Sequence, residues 1–353
     1  MPERNTMKKI QELQQVKGDA YDYYIAGNED TDLFEKIFLV DDIVEEICKP
    51  DKYFLIGEKG SGKTAYSVYM SKSDKINSFC SISLVENTLY QRFLNMKRQK
   101  ALELSSFKDV WINLIYLILA EKIRKEYGET FFSSIKYKQL SKAIDVFYSD
   151  AFKPEFVNAF EFVDNASASI NSMMKQGLFS TGTKASAETS QKYVEQSFQI
   201  SHLKIRDGFE KAFMSVNLKK PTILFVDGID ARPRDIDNEQ YFECLVGLVN
   251  AVLEMNQSFL KEKQIKIMLL IRPDIMYKMP VHNMNQKLRN NSVLLNWVTS
   301  YRKYIDSKLF KIADDYFMKQ QDYSYELGEC WNYYFPYKVE YQEKWKAPDN
   351  PFV

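Results

Sequence analysis

The sequence predicts an α/β protein built on a parallel sheet. Three observations carry that expectation: short apolar runs too brief for helices, helical patterns between those runs, and one glycine-rich segment joining a strand to a helix. At 353 residues and 45% hydrophobic content, the chain holds material for one large or two ordinary domains with a buried core. It divides on pattern into an N-terminal helical segment, 1–48, a sheet-bearing domain, 49–300, and a short helical C-terminal segment, 301–353. The central domain carries a large, mainly helical insertion at about 85–220.

The N-terminal segment ends in DLFEKIFLVDDIVEEI, where Phe34, Ile37, Phe38, Ile43 and Ile47 form one apolar face, and Lys49, Pro50 and Asp51 break the helix. Tyr53 to Ile56 reads as a buried parallel strand because glycines follow it at once. A helix then runs from about Gly62 to Ser71, and a second strand from Ser78 to Leu84. Phe107, Val110, Trp111, Leu114, Ile115 and Ile118 keep helical spacing and predict a well-buried helix from Phe107 to Ile123. Residues 165–191, rich in Ser, Ala, Thr, Lys and Gly, read as a loop or polar hairpin. A third strand spans Thr222 to Val226. A helix bearing Phe242, Leu245, Leu248, Val249 and Val252 leads to a fourth, Ile265 to Ile271, and Val293 to Leu295 is a fifth, before Trp297. The tail from Tyr301 is aromatic, charged and helical in pattern.

Lys plus Arg equals Asp plus Glu at 48 each, so no overall field draws the chain to nucleic acid, a membrane or an acidic substrate. The short basic run Lys97, Arg98, Gln99, Lys100 is read as a solvated face, with nucleic-acid contact as its alternative. The cysteines, Cys48, Cys80, Cys244 and Cys330, form no CxxC pair, which argues against zinc and a disulfide scaffold and for a reducing, cytoplasmic setting. No apolar stretch approaches the roughly 18 residues of a membrane span. His202 and His282 sit near no plausible Cys, Ser or metal-ligand cluster, which argues against histidine-based hydrolase or zinc chemistry.

Gly57-Glu58-Lys59-Gly60-Ser61-Gly62-Lys63-Thr64 matches G-x-x-x-x-G-K-[ST], a phosphate-binding loop, and lies between a strand and a helix as that motif requires. Its glycines allow successive N–H groups, together with the positive end of the helix that follows, to point at the phosphates of a nucleotide, and the binding segment is taken to run through Ala65. Lys63 supplies a charge to the same phosphates, and the Thr64 hydroxyl is suited to Mg²⁺. Such a loop needs a second acid at the end of another buried strand, and Asp227, closing Ile223-Leu224-Phe225-Val226, fills that role. Asp230 is either a carboxylate that orients or deprotonates an attacking water, or a turn or helix-cap aspartate. Arg272 ends the fourth strand on the sheet's carboxyl edge, where it either senses a terminal phosphate or pairs with Asp274 or Asp230. Arg232 and Arg234 are loop charges that could also reach a neighbouring subunit's nucleotide.

Taken in order, GEKGSGKT, ILFVDGID, MLLIRPDI and VLLNW resemble bacterial P-loop ATPases of the STAND and KAP classes, in the additional-strand division that includes AAA+ proteins. The resemblance covers roughly Asp51 to Trp297, and DGID is its most specific feature beyond the loop. It implies a sheet of order 5-1-4-3-2, Lys63 and Thr64 on phosphate and magnesium, Asp227 as second acid and Asp230 as the later acid. Many members of the wider division carry a catalytic glutamate directly after the metal-shell aspartate. Here that position is Gly228, which points to slow, switch-like turnover. Members often act in bacterial defence or signalling and oligomerise on a trigger, so a homo-oligomer and a protein effector are the partners the resemblance implies. A DNA-associated loader, a nucleotide-holding scaffold and a small-acceptor kinase are the rivals. ATP is favoured over GTP because no guanine-reading Asn/Thr-Lys-x-Asp segment occurs in the right region.

Overall fold

The computed structural model describes residues 7–25, 28–85, 107–132, 137–150, 203–230, 237–279, 288, 290–296 and 304–336. Five strands are present: β1 (Phe54–Gly57), β2 (Phe79–Leu84), β3 (Thr222–Asp227), β4 (Ile265–Ile271) and β5 (Ser292–Leu295). The helices are α1 (Ala20–Ile25), α2 (Asn28–Ile37), α3 (Asp42–Cys48), α4 (Lys63–Lys72), α5 (Phe107–Phe132), α6 (Lys138–Asp150), α7 (203–215), α8 (Asn238–Gln257), α9 (Pro273–Lys278), α10 (Lys308–Met318) and α11 (Glu329–Tyr334). Among the described residues no helix is long and apolar enough to cross a membrane. Residues 97–100, 165–191, 232, 234, 202, 282 and 297, which carried expectations above, lie outside the described set.

Contacts divide the chain into one unit of residues 41–296 and another of residues 1–40 with 297–353. In the second unit, described residues of the N-terminal segment bond to residues of the C-terminal one. The Lys8 N–H donates to Gln321 Oε1 at 2.8 Å, and the Tyr316 hydroxyl to Gln14 O at 2.8 Å. Buried Asp314 accepts the N–H groups of Gly328 and Trp331, fixing α11 against α10, and the rings of Phe310 and Trp331 pack 5.5 Å apart.

The larger unit is a five-stranded, all-parallel sheet of order β2-β3-β4-β1-β5, which from the other edge reads 5-1-4-3-2. Every residue of β1, β3 and β4 is buried. That explains why those segments read as near-continuous apolar runs: central strands covered on both faces have no side for water. Helices α5 and α8 pack together over one face. The Trp111 indole N–H donates to Cys244 O at 3.1 Å, and Gly247 sits where a Cβ would lie 2.6 Å from Phe107 Cβ. The lack of a side chain is what lets the two helices approach. Asn256 of α8 bonds both backbone groups of Ile267, accepting its N–H at 2.9 Å and donating to its carbonyl at 2.8 Å. Pairing between β4 and β1 begins only at Leu269, so Asn256 satisfies a stretch of β4 that is paired with β3 but has no strand on its β1 side.

Two expectations need correction. The apolar face from Phe34 to Ile47 does not lie on one helix: the chain breaks between Ile37 and Asp42. Asp41 is extended and its carboxylate accepts the Ile43 N–H at 3.2 Å, starting a new helix, while the Tyr66 hydroxyl donates to the same oxygen at 2.9 Å. Helix α5 also continues past Ile123 but breaks at Gly128 (φ 74°), after which a last short helical stretch ends at Phe132. The far end of α3 is closed by Lys266, a buried lysine of β4, which donates to Ile47 O and, at 2.8 Å, to Lys49 O. Its charge meets the negative end of the helix, although burial pulls its pKa down to about 8.

Candidate functional site

Strand β1 ends at Gly57, and the chain curls through Glu58 to Gly62 before α4 begins at Lys63. The curl depends on its glycines. Gly60 and Gly62 hold φ of 80° and 89°, in the left-handed region, and a Cβ on Gly57 would fall 2.2 Å from Ser61 Oγ. The Ser61 N–H donates to Glu58 O at 3.1 Å and tightens the turn. Lys63 folds back into the loop it follows, donating to Gly57 O at 2.8 Å and Glu58 O at 3.2 Å. It is 7% exposed, and burial lowers its pKa against the opposing pull of Asp230 and Asp227. The lysine therefore holds the middle of the loop, the place where the N–H groups of an anion-binding curl converge. Glu58, Lys59 and Gly60 are exposed at its rim, and Ala65 lies in the first turn of α4.

Asp227, the last residue of β3, reaches across the end of β4 to this loop. Its Oδ2 accepts the Thr64 hydroxyl at 2.6 Å and its Oδ1 accepts the Gly228 N–H at 2.7 Å. A hydroxyl and a carboxylate in contact are the hard oxygen donors a magnesium ion takes. Among the described residues no group of three or more His, Cys, Asp and Glu side chains is placed to hold a metal. This pair fits a cation that draws most of its remaining ligands from water and phosphate, not one held in an all-protein cage.

Asp230 stands three residues further on. Its Oδ2 lies 4.0 Å from Lys63 Nζ, while its Oδ1 is shut away from solvent with no hydrogen-bond partner. Burial raises its pKa, Asp227 adds to the rise, and Lys63 and Arg272 oppose it; the outcome is about 6. A carboxylate with a spare buried oxygen and a pKa near neutrality can accept a proton from a bound water. Asp230 lies in a turn, which is one of the readings open to it; the N-cap of α8, the next described helix, is Asp237. The turn itself is fixed by fully buried Ile229, whose carbonyl accepts the Tyr241 hydroxyl at 2.8 Å. Gly228, before it, has φ 83°, and a Cβ there would meet Val85 O at 3.1 Å.

Arg272 follows Ile271, whose strand partner is Ile56, so its backbone lies beside Gly57 at the start of the loop. Of its alternatives, the pairing with Asp274 is what the structure contains: Nε to Oδ1 at 2.9 Å and Nη2 to Oδ2 at 2.8 Å. The sheet thus brings Gly57 to Ala65, Asp227, Asp230 and Arg272 to one edge. Sequence reasoning missed the parts played by Tyr241 and Val85, which carry no local pattern. Asp274 was legible only as an acid two residues past a strand-ending arginine. Comparison of the chain with protein-family models, curated proteins and solved structures finds no match.

Proposed function

We propose that this chain is a P-loop nucleoside triphosphatase that binds Mg-ATP at Gly57 to Ala65 and hydrolyses it slowly, as a conformational or oligomerisation switch. The observation that carries the reading is the meeting of Lys63, Thr64, Asp227 and Asp230 around a glycine curl between β1 and α4. The sheet order is the one the additional-strand resemblance implies. On this reading Lys63 exchanges the Gly57 and Glu58 carbonyls for β- and γ-phosphate oxygens, and the loop N–H groups take the rest of the charge. Thr64 and Asp227 would hold magnesium, which when bound neutralises charge building on the phosphates. Asp230 orients a water in line with the γ-phosphate and takes its proton.

A second reading, a scaffold that holds ATP and barely hydrolyses it, is favoured by one feature. Gly228 is left-handed and pressed against Val85, so a glutamate would be strained in the place where many members of the wider division carry one. The test is phosphate release from ATP with magnesium, alongside nucleotide binding, for wild type, Lys63→Ala and Asp230→Ala. The proposal expects Lys63→Ala to lose at least about tenfold in affinity, the worth of one charge-assisted contact. Asp230→Ala is expected to bind but not turn over. Binding without release in wild type would favour the scaffold; no binding at all would end both readings.

A further inference from the structure

We infer that Tyr241 is a positioning residue for Asp230: its hydroxyl fixes the peptide plane from which that carboxylate hangs, and so governs the rate of hydrolysis and not the affinity for nucleotide. The inference rests on the nucleotide-site reading above. Asp230 is not held by its own side chain. Its Oδ2 stands 4.0 Å from Lys63 Nζ, beyond hydrogen-bond length, and its Oδ1 has no partner among the described residues. A general base has to stand within hydrogen-bond reach of the water it deprotonates, so the backbone must supply the placement.

That backbone is pinned one peptide earlier. The atoms from Ile229 Cα to Asp230 Cα, the Ile229 carbonyl among them, lie in one plane. Ile229 is fully buried, which fixes the start of the plane, and the Tyr241 hydroxyl donates to the carbonyl at 2.8 Å, which fixes its rotation. With both held, the Asp230 Cα has one place to be. The hydroxyl is itself held fast. Tyr241 is 3% exposed, its N–H donates to Asp237 O at 3.1 Å, and its ring meets Phe242 edge-on with centroids 5.3 Å apart. The helix that carries it is tied to α5 one turn later through Trp111 and Cys244, and to β4 near its far end through Asn256. Tyr241 thus belongs to an element fastened elsewhere, and the turn after β3 is fitted to it.

A tyrosine hydroxyl on a buried carbonyl also has a purely structural use, the satisfaction of that carbonyl. The fold supplies a matched control. Tyr137 donates its hydroxyl to Asn217 O at 2.9 Å, on the chain leading into β3, whereas Tyr241 bonds the chain leaving it. Ligands of parallel sheets lie at the carboxyl ends of the strands, so only the second of these bonds is beside the site.

The test compares the full chain with Tyr241→Phe and Tyr137→Phe in phosphate release from Mg-ATP, calorimetric binding of ADP and of a non-hydrolysable ATP analogue, and urea unfolding. Tyr241→Phe is expected to lower kcat about tenfold, part of the roughly 100-fold or more that a general base supplies, with both affinities within about twofold of wild type. Tyr137→Phe should lose stability in the same way but keep kcat within about twofold. Should Tyr241→Phe not fold, Ile229→Val loosens the other anchor of the same turn and is expected to lower kcat about threefold with binding again unchanged. Unchanged kcat in folded Tyr241→Phe, or in Ile229→Val where it stands in, would overturn the inference while leaving the nucleotide site standing. So would an equal fall in kcat for Tyr137→Phe, or a loss of affinity as large as the loss of kcat. Wild type that binds ATP but releases no phosphate would bring down the hydrolytic reading and this inference with it; wild type that binds no nucleotide would bring down the site reading as well.

Discussion

Replacing Asp230 with asparagine should stabilise the protein near neutral pH and leave it without turnover. Burial pushes the Asp230 carboxyl from its ordinary 3.8 up to about 6, so the folded protein holds that proton more tightly than the unfolded chain does. Stability therefore falls as pH rises from 3.8 through about 6, and stays lowered above it. At about 1.4 kcal/mol per pH unit the gap corresponds to ~3 kcal/mol, an upper figure because the side chain is 26% exposed and relaxes toward water. Asparagine keeps the shape and removes the charge. Urea unfolding of both proteins near pH 4 gives the variant's own packing cost, since Asp230 is then largely protonated. The same comparison at about pH 8 should favour Asp230→Asn by an additional ~1–3 kcal/mol. In wild type the same proton should appear in kinetics as a kcat/KM for ATP that climbs through about pH 6. A stability difference that is the same at both pH values would refute the claim that the ionised carboxylate is destabilised, and with it the physical basis for making Asp230 the base.

Two further outcomes follow from the glycines. Gly228→Glu should cost ~1–2 kcal/mol in chemical unfolding, because φ 83° is unfavourable for an L side chain and Val85 O stands 3.1 Å from the new Cβ; phosphate release should not rise. Gly247→Ala should lower stability by ~1–3 kcal/mol, since its methyl would lie 2.6 Å from Phe107 Cβ and force α5 and α8 apart, with nucleotide affinity unchanged.

The sheet was legible because burial on both faces leaves a signature that needs no partner to be read. Ile265 to Ile271 is apolar but for one lysine, and its bounds were readable to the residue. That lysine, Lys266, shows the limit: its meaning lies in the carbonyls at the end of α3, more than two hundred positions earlier. Asp41 misled for a related reason. A capping carboxylate inside an apolar pattern looks like the polar side of a continuing helix, and only the extended backbone and the bond to Ile43 reveal a boundary. Within the site, the glycine curl, Lys63 and Thr64 are local and were readable as a string. The choice between sensing and pairing for Arg272 was not, because it depends on where a flexible side chain settles.

The step from Asp227 to Asp230 shows how a sequence pattern can encode a geometry. β3 ends with Asp227 turned to Thr64, and the next residue must reverse the chain beside Val85, which only a glycine at φ 83° does without strain. Ile229 then drops into the core, and its carbonyl is caught by Tyr241. Those two anchors bring the following side chain, Asp230, back over the loop to within 4.0 Å of Lys63. A carboxylate at 228 would face Val85; one at 230 faces the lysine. If the loop holds ATP, the acid that serves it has to stand two positions later than a straight strand exit would put it, and the pattern Asp-Gly-apolar-Asp is the shortest way for this backbone to do so.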